Sequence, residues 1–414
     1  MSWNLLRNRN FALLWTAQIL STLGNELYNI GMMVTIFERT GSALQTAGVL
    51  IARTTPSLLL GPFAGVLVDR YSRRSVLVAM NLARAALLAA MLFFVGAEQV
   101  GAWAGYAVVF GLAGAAIFSR PAQQAILPDL VPESELVRAN SLLMSSNQAI
   151  LTASYAVGGV LILWLGFSTL VGVGLVAFLL AALASAFIVC CRRSSDEQLG
   201  RPDIPFLRAV LEGLAYLRGH RLARPLVVME TLEHWPHGIW TSALMLVFTR
   251  QALQAGPEDW GYQASAYFAG MLVGATVAVL VSAHLARRPG WVIISNAFLF
   301  SLLTFGYALS PTVLIAVVFC FVFGPPSAMR DVTQDALLQA SVHPDLLGRI
   351  YATRDTLTSF AFLLAGLAFA WLADQVAVRW VYLIGGALYL GTALYALSSP
   401  AIRHSRLEAV DASP

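Results

Sequence analysis

Four ionisable residues crowd one short stretch of an otherwise apolar segment: Glu230, Glu233, His234 and His237. Offsets of three, four and seven residues from Glu230 put them all on one face of a helix. Two carboxylates beside two imidazoles can exchange protons, hold a cation or contact a polar group of a substrate. The same cluster can also serve as a purely structural polar network. Zinc is a third reading for Glu with His. However, His234-Trp-Pro-His237 is not the His-Glu-x-x-His spacing of a metalloprotease, and no metal is expected. Pro236 removes a backbone donor and frees the Leu232 carbonyl, which neighbours or water must then satisfy.

Glu26 is a second acid set in an apolar run. An ionisable side chain at mid-bilayer costs roughly 2.5–3.5 kcal/mol, so it needs a function or a partner. Glu26 is a candidate carrier of a coupling proton; the alternative is a permanent pair with Arg53 or Arg84. Near these acids lie Asn25, Tyr28 and Met32, one or two turns along from Glu26, and Trp235 and Trp240, which flank Pro236. These five are candidates for a cavity surface that takes amphipathic organic cations.

The elements that must position these groups follow from composition. Of 414 residues, 58% are hydrophobic and 12% charged, half the roughly 25% typical of a soluble domain. Twelve spans of about 20 residues fit within that length. Apolar runs fall at about 11–36, 44–68, 75–95, 102–120, 139–163 and 167–191, then at about 225–248, 261–283, 290–309, 311–329, 350–373 and 379–398. The first run is longer than a signal-peptide core and lacks a small-residue cleavage site, so it reads as a retained span. The expectation is an all-α membrane protein of twelve transmembrane helices in two six-helix bundles, 1–191 and 225–400. A linker at 192–224 joins them, and a tail follows at 401–414.

The chain contains no lysine, so all 26 basic residues are arginine. That excludes a Walker A nucleotide loop and Schiff-base chemistry. Cys190, Cys191 and Cys320 sit in or at the ends of apolar runs and form neither a disulfide framework nor a metal-ligand spacing. With the N-terminus inside, eighteen arginines fall on the cytoplasmic side, against Arg39, Arg250 and Arg379 on the other. This positive-inside bias predicts that both termini are cytoplasmic. It also explains the net charge of +4 without a nucleic-acid partner. In the linker, Leu207, Val210, Leu211, Leu214 and Leu217 recur opposite Arg208, Glu212 and Arg218. They form an amphipathic helix, either at the membrane surface or as a solvated connector.

The halves repeat each other. Gln123, Ala125, Val131 and Arg138 match Gln334, Ala336, Val342 and Arg349 with one offset, and Gly61-x3-Gly65 has a counterpart in Gly270-x3-Gly274. Small residues at that spacing let helices approach closely, and two parallel six-helix repeats are a transporter architecture. The acid–His face then belongs towards a cavity between the halves, since lipid would not solvate it.

The stretch Gly65-Val-Leu-Val-Asp69-Arg70-Tyr-Ser-Arg73-Arg74 resembles motif A of the major facilitator superfamily (MFS), with Ser72 where a glycine is usual. Leu23-Gly24-Asn25-Glu26, Phe118-Ser-Arg120-Pro121, Pro128-Asp-Leu-Val-Pro132 and Gly348-Arg349 are similar to the macrolide-efflux-type branch of its proton-coupled drug antiporters, which includes siderophore exporters. The branch often places its acid directly after the first-helix glycine, where this chain has Asn25. Its fifth helix usually carries Gly-Pro before Gly-Gly, whereas here Ser154-Tyr155-Ala-Val precedes Gly158-Gly159. The second-half copy of motif A is reduced to Ser282-Ala-His284-Leu-Ala-Arg287-Arg288.

The resemblance implies the major facilitator fold and makes Gly65, Asp69, Arg70, Arg73 and Arg74 part of a cytoplasmic gate. An acid at a helix C-terminus opposes the helix dipole, and in the family such an Asp locks to the facing bundle. Arg120 and the charges closing one helix and opening the next (Arg330, Asp331, Asp335, Arg354, Asp355) are further gate candidates, expected to bridge the halves. The implied function is secondary active export of amphipathic small molecules, drug or macrolide-like, by proton antiport and alternating access. Alternatives are export of one siderophore or other metabolite, lysolipid movement, or a non-transporting receptor or assembly factor on the same scaffold. No nucleophile–base motif points to an enzyme. The expected partners are a small-molecule substrate, protons and the lipid bilayer, with no cofactor; the resemblance implies a monomer in a bacterial cytoplasmic membrane.

Overall fold

In lipid a backbone must satisfy its own hydrogen bonds, and a sequence of apolar runs without strand alternation does so by forming helices. A computed structural model describes residues 3–96, 102–132, 135–189, 206–281 and 287–406, and every regular element among them is helical. The chain divides into two compact units, Met1–Asp203 and Ile204–Pro414.

The first unit holds α1 (Trp3–Arg7), α2 (Arg9–Thr40), α3 (Ala43–Arg70), α4 (Arg73–Gly96), α5 (Ala102–Leu130) and α6 (Leu136–Ala186). Asn8 starts α2 by accepting from the amides of Asn10 and Phe11, and Gly41 ends it in the left-handed region at φ 63°. Within α6, Gly166 leaves helical geometry (φ 74°, ψ 168°), so the runs expected at 139–163 and 167–191 fall on two arms of one element.

The second unit holds α7 (Phe206–Gly219), α8 (Ala223–His237), a 3-10 turn (Gly238–Trp240), α9 (Ser242–Gln251), α10 (Pro257–Leu280), α11 (Pro289–Ala308), α12 (Val313–Ser341), α13 (Pro344–Gln375), α14 (Val378–Ser398) and α15 (Pro400–Arg403). The run expected as one helix at 225–248 is thus broken. Pro236 disrupts the end of α8, Thr241 turns extended (ψ 145°), and its hydroxyl caps α9.

Among the described residues, seven stretches are long and apolar enough to cross a membrane: Arg73–Phe93, Ala102–Gln124, Arg138–Ala186, Pro289–Ala308, Val313–Ser341, Arg349–Gln375 and Val378–Ser398.

Inside the first unit α2 and α4 pack on α6, and α3 and α4 on α5; inside the second, α10 and α11 pack on α12, and α11 on α14. One close crossing is that of α10 with α12. A Cβ at Gly270 would overlap the Phe321 carbonyl, and one at Gly274 would overlap the Pro325 backbone. This is the close approach that the Gly-x3-Gly spacing predicts. The linker helix α7 is neither loose nor free-standing. Gly213 lies against Thr353 and the Arg349 carbonyl of α13, Glu212 pairs with Arg349 at 2.8 Å, and Leu217 joins a core with Val227, Leu338 and Ile350. The side chains of Leu207, Arg208 and Val210, like the whole stretch 190–205, lie outside the described residues.

Candidate functional site

The face of α8 carrying Glu230, Glu233, His234 and His237 turns into the second unit, and each of the four finds a partner there. Glu233 is fully buried, and its Oε2 lies 2.6 Å from Nη1 of Arg330 on α12, itself 7% exposed. The Arg330 guanidinium also donates to Asp331 and lies 5.6 Å from the centre of the Phe300 ring. One turn back, Glu230 accepts from Nε2 of Gln334 at 3.0 Å and lies 3.7 Å from Nε of Arg354 on α13. Arg354 in turn pairs with Asp335 and Asp355 and lies over the Tyr351 ring. Nδ1 of His234 donates to the Glu230 carbonyl at 2.8 Å, and Nδ1 of His237 meets the Tyr389 hydroxyl at 2.7 Å. The two imidazole rings lie 5.9 Å apart.

Two neighbouring charge clusters, Glu233–Arg330–Asp331 and Glu230–Arg354–Asp335–Asp355, therefore join α8 to α12 and α13, each with more carboxylates than guanidiniums. Their chemistry follows from that imbalance. A proton on Glu230 leaves Arg354 with Asp335 and Asp355, and a proton on Glu233 leaves Arg330 with Asp331. Neither protonation strands a cation, which is the usual penalty for breaking a buried pair. Glu233 Oε1 has no hydrogen-bond donor among the described residues, and a buried acceptor without a donor favours a state that supplies one.

Glu26 differs. It is nearly buried, and Arg53, which is 39% exposed at its side chain, reaches it at 3.0 and 3.4 Å. Asn25 Nδ2 adds a contact at 3.3 Å, and Arg53 also hydrogen-bonds Tyr155. The permanent-pair alternative named Arg53 or Arg84, and the geometry selects Arg53. Arg84 instead donates to Ser119 at 3.0 Å, lies over the Phe178 ring and meets no carboxylate among the described residues.

Two cavity candidates are corrected. Tyr28 and Met32 are packed inside the first unit, where the Tyr28 hydroxyl donates to the Gly105 carbonyl at 3.4 Å and Met32 lies against the same glycine. Their face of α2 meets α5, so both act as packing residues. Trp240 sits in an aromatic group with Phe323, Tyr307 and Tyr382, at 4.7, 4.9 and 5.7 Å between ring centres, whereas Trp235 is 39% exposed on the opposite side of α8.

Among the gate candidates, Asp331, Asp335, Arg354 and Asp355 were expected to bridge the halves. All the partners recorded for them lie within the second unit. The reason is that α8 supplies two acids at the same level as the ends of α12 and α13. Arg73 pairs with Asp129 at 2.8 Å inside the first unit, and Arg74 and Arg120 are exposed. Gly65 falls within α3, the side chains of Asp69 and Arg70 are not among those described, and residues 282–286 of the reduced second motif lie outside the described residues.

Spacing alone did not identify Arg330, Gln334, Tyr389 and Phe300 as neighbours of the acid–His face. Gln334 did carry a signal, as a repeat position four residues from Arg330 on the same face of α12. Among the described residues no group of His, Cys, Asp and Glu is arranged to hold a metal ion.

A family model described as "Transmembrane secretion effector" matches residues 1–413. The uncharacterized MFS-type transporter YjbB of Bacillus subtilis is 29% identical over 408 residues, covering 97% of this chain and 98% of that protein. Macrolide efflux protein A of Streptococcus pyogenes is 24% identical over 388 residues, covering 93% and 94%. A crystal structure of the nucleoside transporter NupG superposes with a TM-score of 0.75 at 13% identity, over 94% of this chain and 99% of that one, a likeness of fold alone.

Proposed function

The chain belongs to the transmembrane secretion effector family of the major facilitator superfamily, and from that membership we propose that it exports amphipathic small molecules by proton antiport, with Glu230 and Glu233 as the proton-binding groups. It is thus a membrane transporter and not an enzyme. Alternating access across a bacterial cytoplasmic membrane is the working cycle of this reading. Macrolide efflux relatives support an amphipathic cargo.

The observation that carries the reading is the buried Glu233–Arg330 pair inside a network that can lose a carboxylate charge without stranding an arginine. Its position beside a broken helix supports a transport role, because discontinuous helices in transporters mark binding and coupling sites. His237, hydrogen-bonded to Tyr389, offers a second polar group at the break. Glu26 is the weaker proton carrier: a proton there would leave Arg53 without the one carboxylate recorded beside it. Its pair with Arg53 is proposed to hold α2 to α3.

The test uses purified protein in liposomes loaded with a pH-sensitive dye, with macrolides, cationic drugs and siderophores added one at a time. In wild type, cargo should drive proton movement. In Glu230→Gln that movement should fall to background and cargo flux should lose its pH dependence, while Glu26→Gln keeps both. Substrate-driven proton movement unchanged in Glu230→Gln and Glu233→Gln would remove the coupling role from α8.

A further inference from the structure

A cleft of about 250 Å³ opens between α7, α8 and α13, away from the acid–His face. Leu214 of α7, Val228 and Leu232 of α8 and Leu357 of α13 form apolar walls, and Arg218 and Arg224 stand among the lining residues. Val228 and Leu232 are 37% and 39% exposed, so the cleft opens on the outer face of α8. Both arginines are exposed, and neither pairs with a carboxylate among the described residues. The nearby acid on α7, Glu212, is already held by Arg349.

The chemistry that complements this cleft is an anion joined to a hydrocarbon chain. Its volume falls below the roughly 300–1,000 Å³ of drug-sized sites, so it fits a chain segment better than a whole cargo molecule. The positive-inside bias places the start of α8 at the cytoplasmic leaflet, where anionic headgroups collect and basic pockets between helices capture them. We propose that the cleft binds an anionic phospholipid, its phosphate held by Arg218 and Arg224 and one acyl chain lying along Leu214, Val228, Leu232 and Leu357. The assignment rests on reading the chain as a membrane transporter with that end of α8 inside. A lipid seated there would tie α7 to the start of α8.

The test takes the full-length protein in a neutral detergent and adds phosphatidylglycerol, phosphatidylcholine of the same chains, or inorganic phosphate. Native mass spectrometry reads retained lipid, and thermal unfolding reads stabilisation. Phosphatidylglycerol should be retained and should raise Tm, with phosphatidylcholine and phosphate doing little. The Arg218→Gln/Arg224→Gln pair should lose about thirtyfold in phosphatidylglycerol retention, in line with the loss of two headgroup contacts. Arg403→Gln, on α15, should lose none. Leu232→Trp narrows the cleft without touching its charge and should also reduce retention, which decides the matter if the arginine pair folds poorly. Equal retention of the two lipids, stabilisation by phosphate alone, or retention unchanged in both the arginine pair and Leu232→Trp would overturn the assignment. These readouts need no transport, so their failure leaves the proton assay standing, and the reverse holds too.

Discussion

Glu233 and Arg330 meet at 2.6 Å with both side chains shielded from solvent; removing Arg330 alone leaves the Glu233 charge buried without its cation, whereas removing Glu233 alone leaves Arg330 with Asp331. Deleting one partner of such a pair costs about 3–5 kcal/mol, whereas replacing both with apolar groups of similar volume is often neutral or stabilising. Arg330→Met is therefore expected to lower the unfolding temperature sharply in detergent, and Glu233→Leu/Arg330→Met to recover most of the loss. The double variant should be stable yet silent in the proton assay, which separates the structural role of the pair from its coupling role. Destabilisations that simply add in the double variant would show that the charges do not act on each other. At this scale the acid–His face was legible because helical spacing is a local property of the sequence. Its partners Arg330 and Arg354 come from helices about a hundred residues away, and no local pattern states which distant side chain will neutralise a buried acid. Tyr28 and Met32 were misplaced for a related reason: an aromatic and a thioether suit a core and a cavity equally well.

At the scale of elements, small residues decide which helices touch. Gly270 and Gly274 on α10 face Phe321, Gly324 and Pro325 on α12 with no room for a Cβ, whereas Gly391 on α14 has nothing within 4 Å. Forcing a side chain into backbone contact moves whole helices, because packed interiors relax little. Gly270→Leu should abolish the monodisperse peak in fluorescence-detected size-exclusion chromatography, while Gly391→Ala elutes as wild type. Equal behaviour of the two would mean that the α10–α12 crossing is looser than the structure draws it. The Gly-x3-Gly spacing made this crossing legible in advance. The break between α8 and α9 was only half legible: Pro236 marks a kink, but the extended Thr241 that restarts the helix depends on how the turn packs. The close contact of Gly238 with Ala365 and Gly366 on α13 is part of that packing.

For the whole molecule, the repeat is legible both in sequence and in packing, since α3 on α5 and α10 on α12 are corresponding pairs. Charge breaks the symmetry: with the offset that aligns Gln123 with Gln334, Arg330 corresponds to Ser119, which accepts from Arg84, a cation that meets no carboxylate among the described residues. The number of membrane crossings is then decided largely by α6. Its 51 residues would span about 75 Å as one straight helix, more than twice a hydrocarbon core of about 30 Å. The non-helical Gly166 gives that length a place to turn back. If it does, residues near both ends of α6 lie on the same side, the crossings are even in number, and the arginine bias puts both termini inside. In a background with its three cysteines replaced by serine, single cysteines at Arg74, Arg138, Phe187, Arg349 and Arg403 should react with an impermeant maleimide only after the membrane is opened. Cysteines at Arg39, Arg250 and Arg379 should react in intact cells. Opposite accessibility at Arg138 and Phe187 would make α6 a single crossing, reverse the sidedness of one half, and move the start of α8 away from the anionic leaflet on which the lipid site depends.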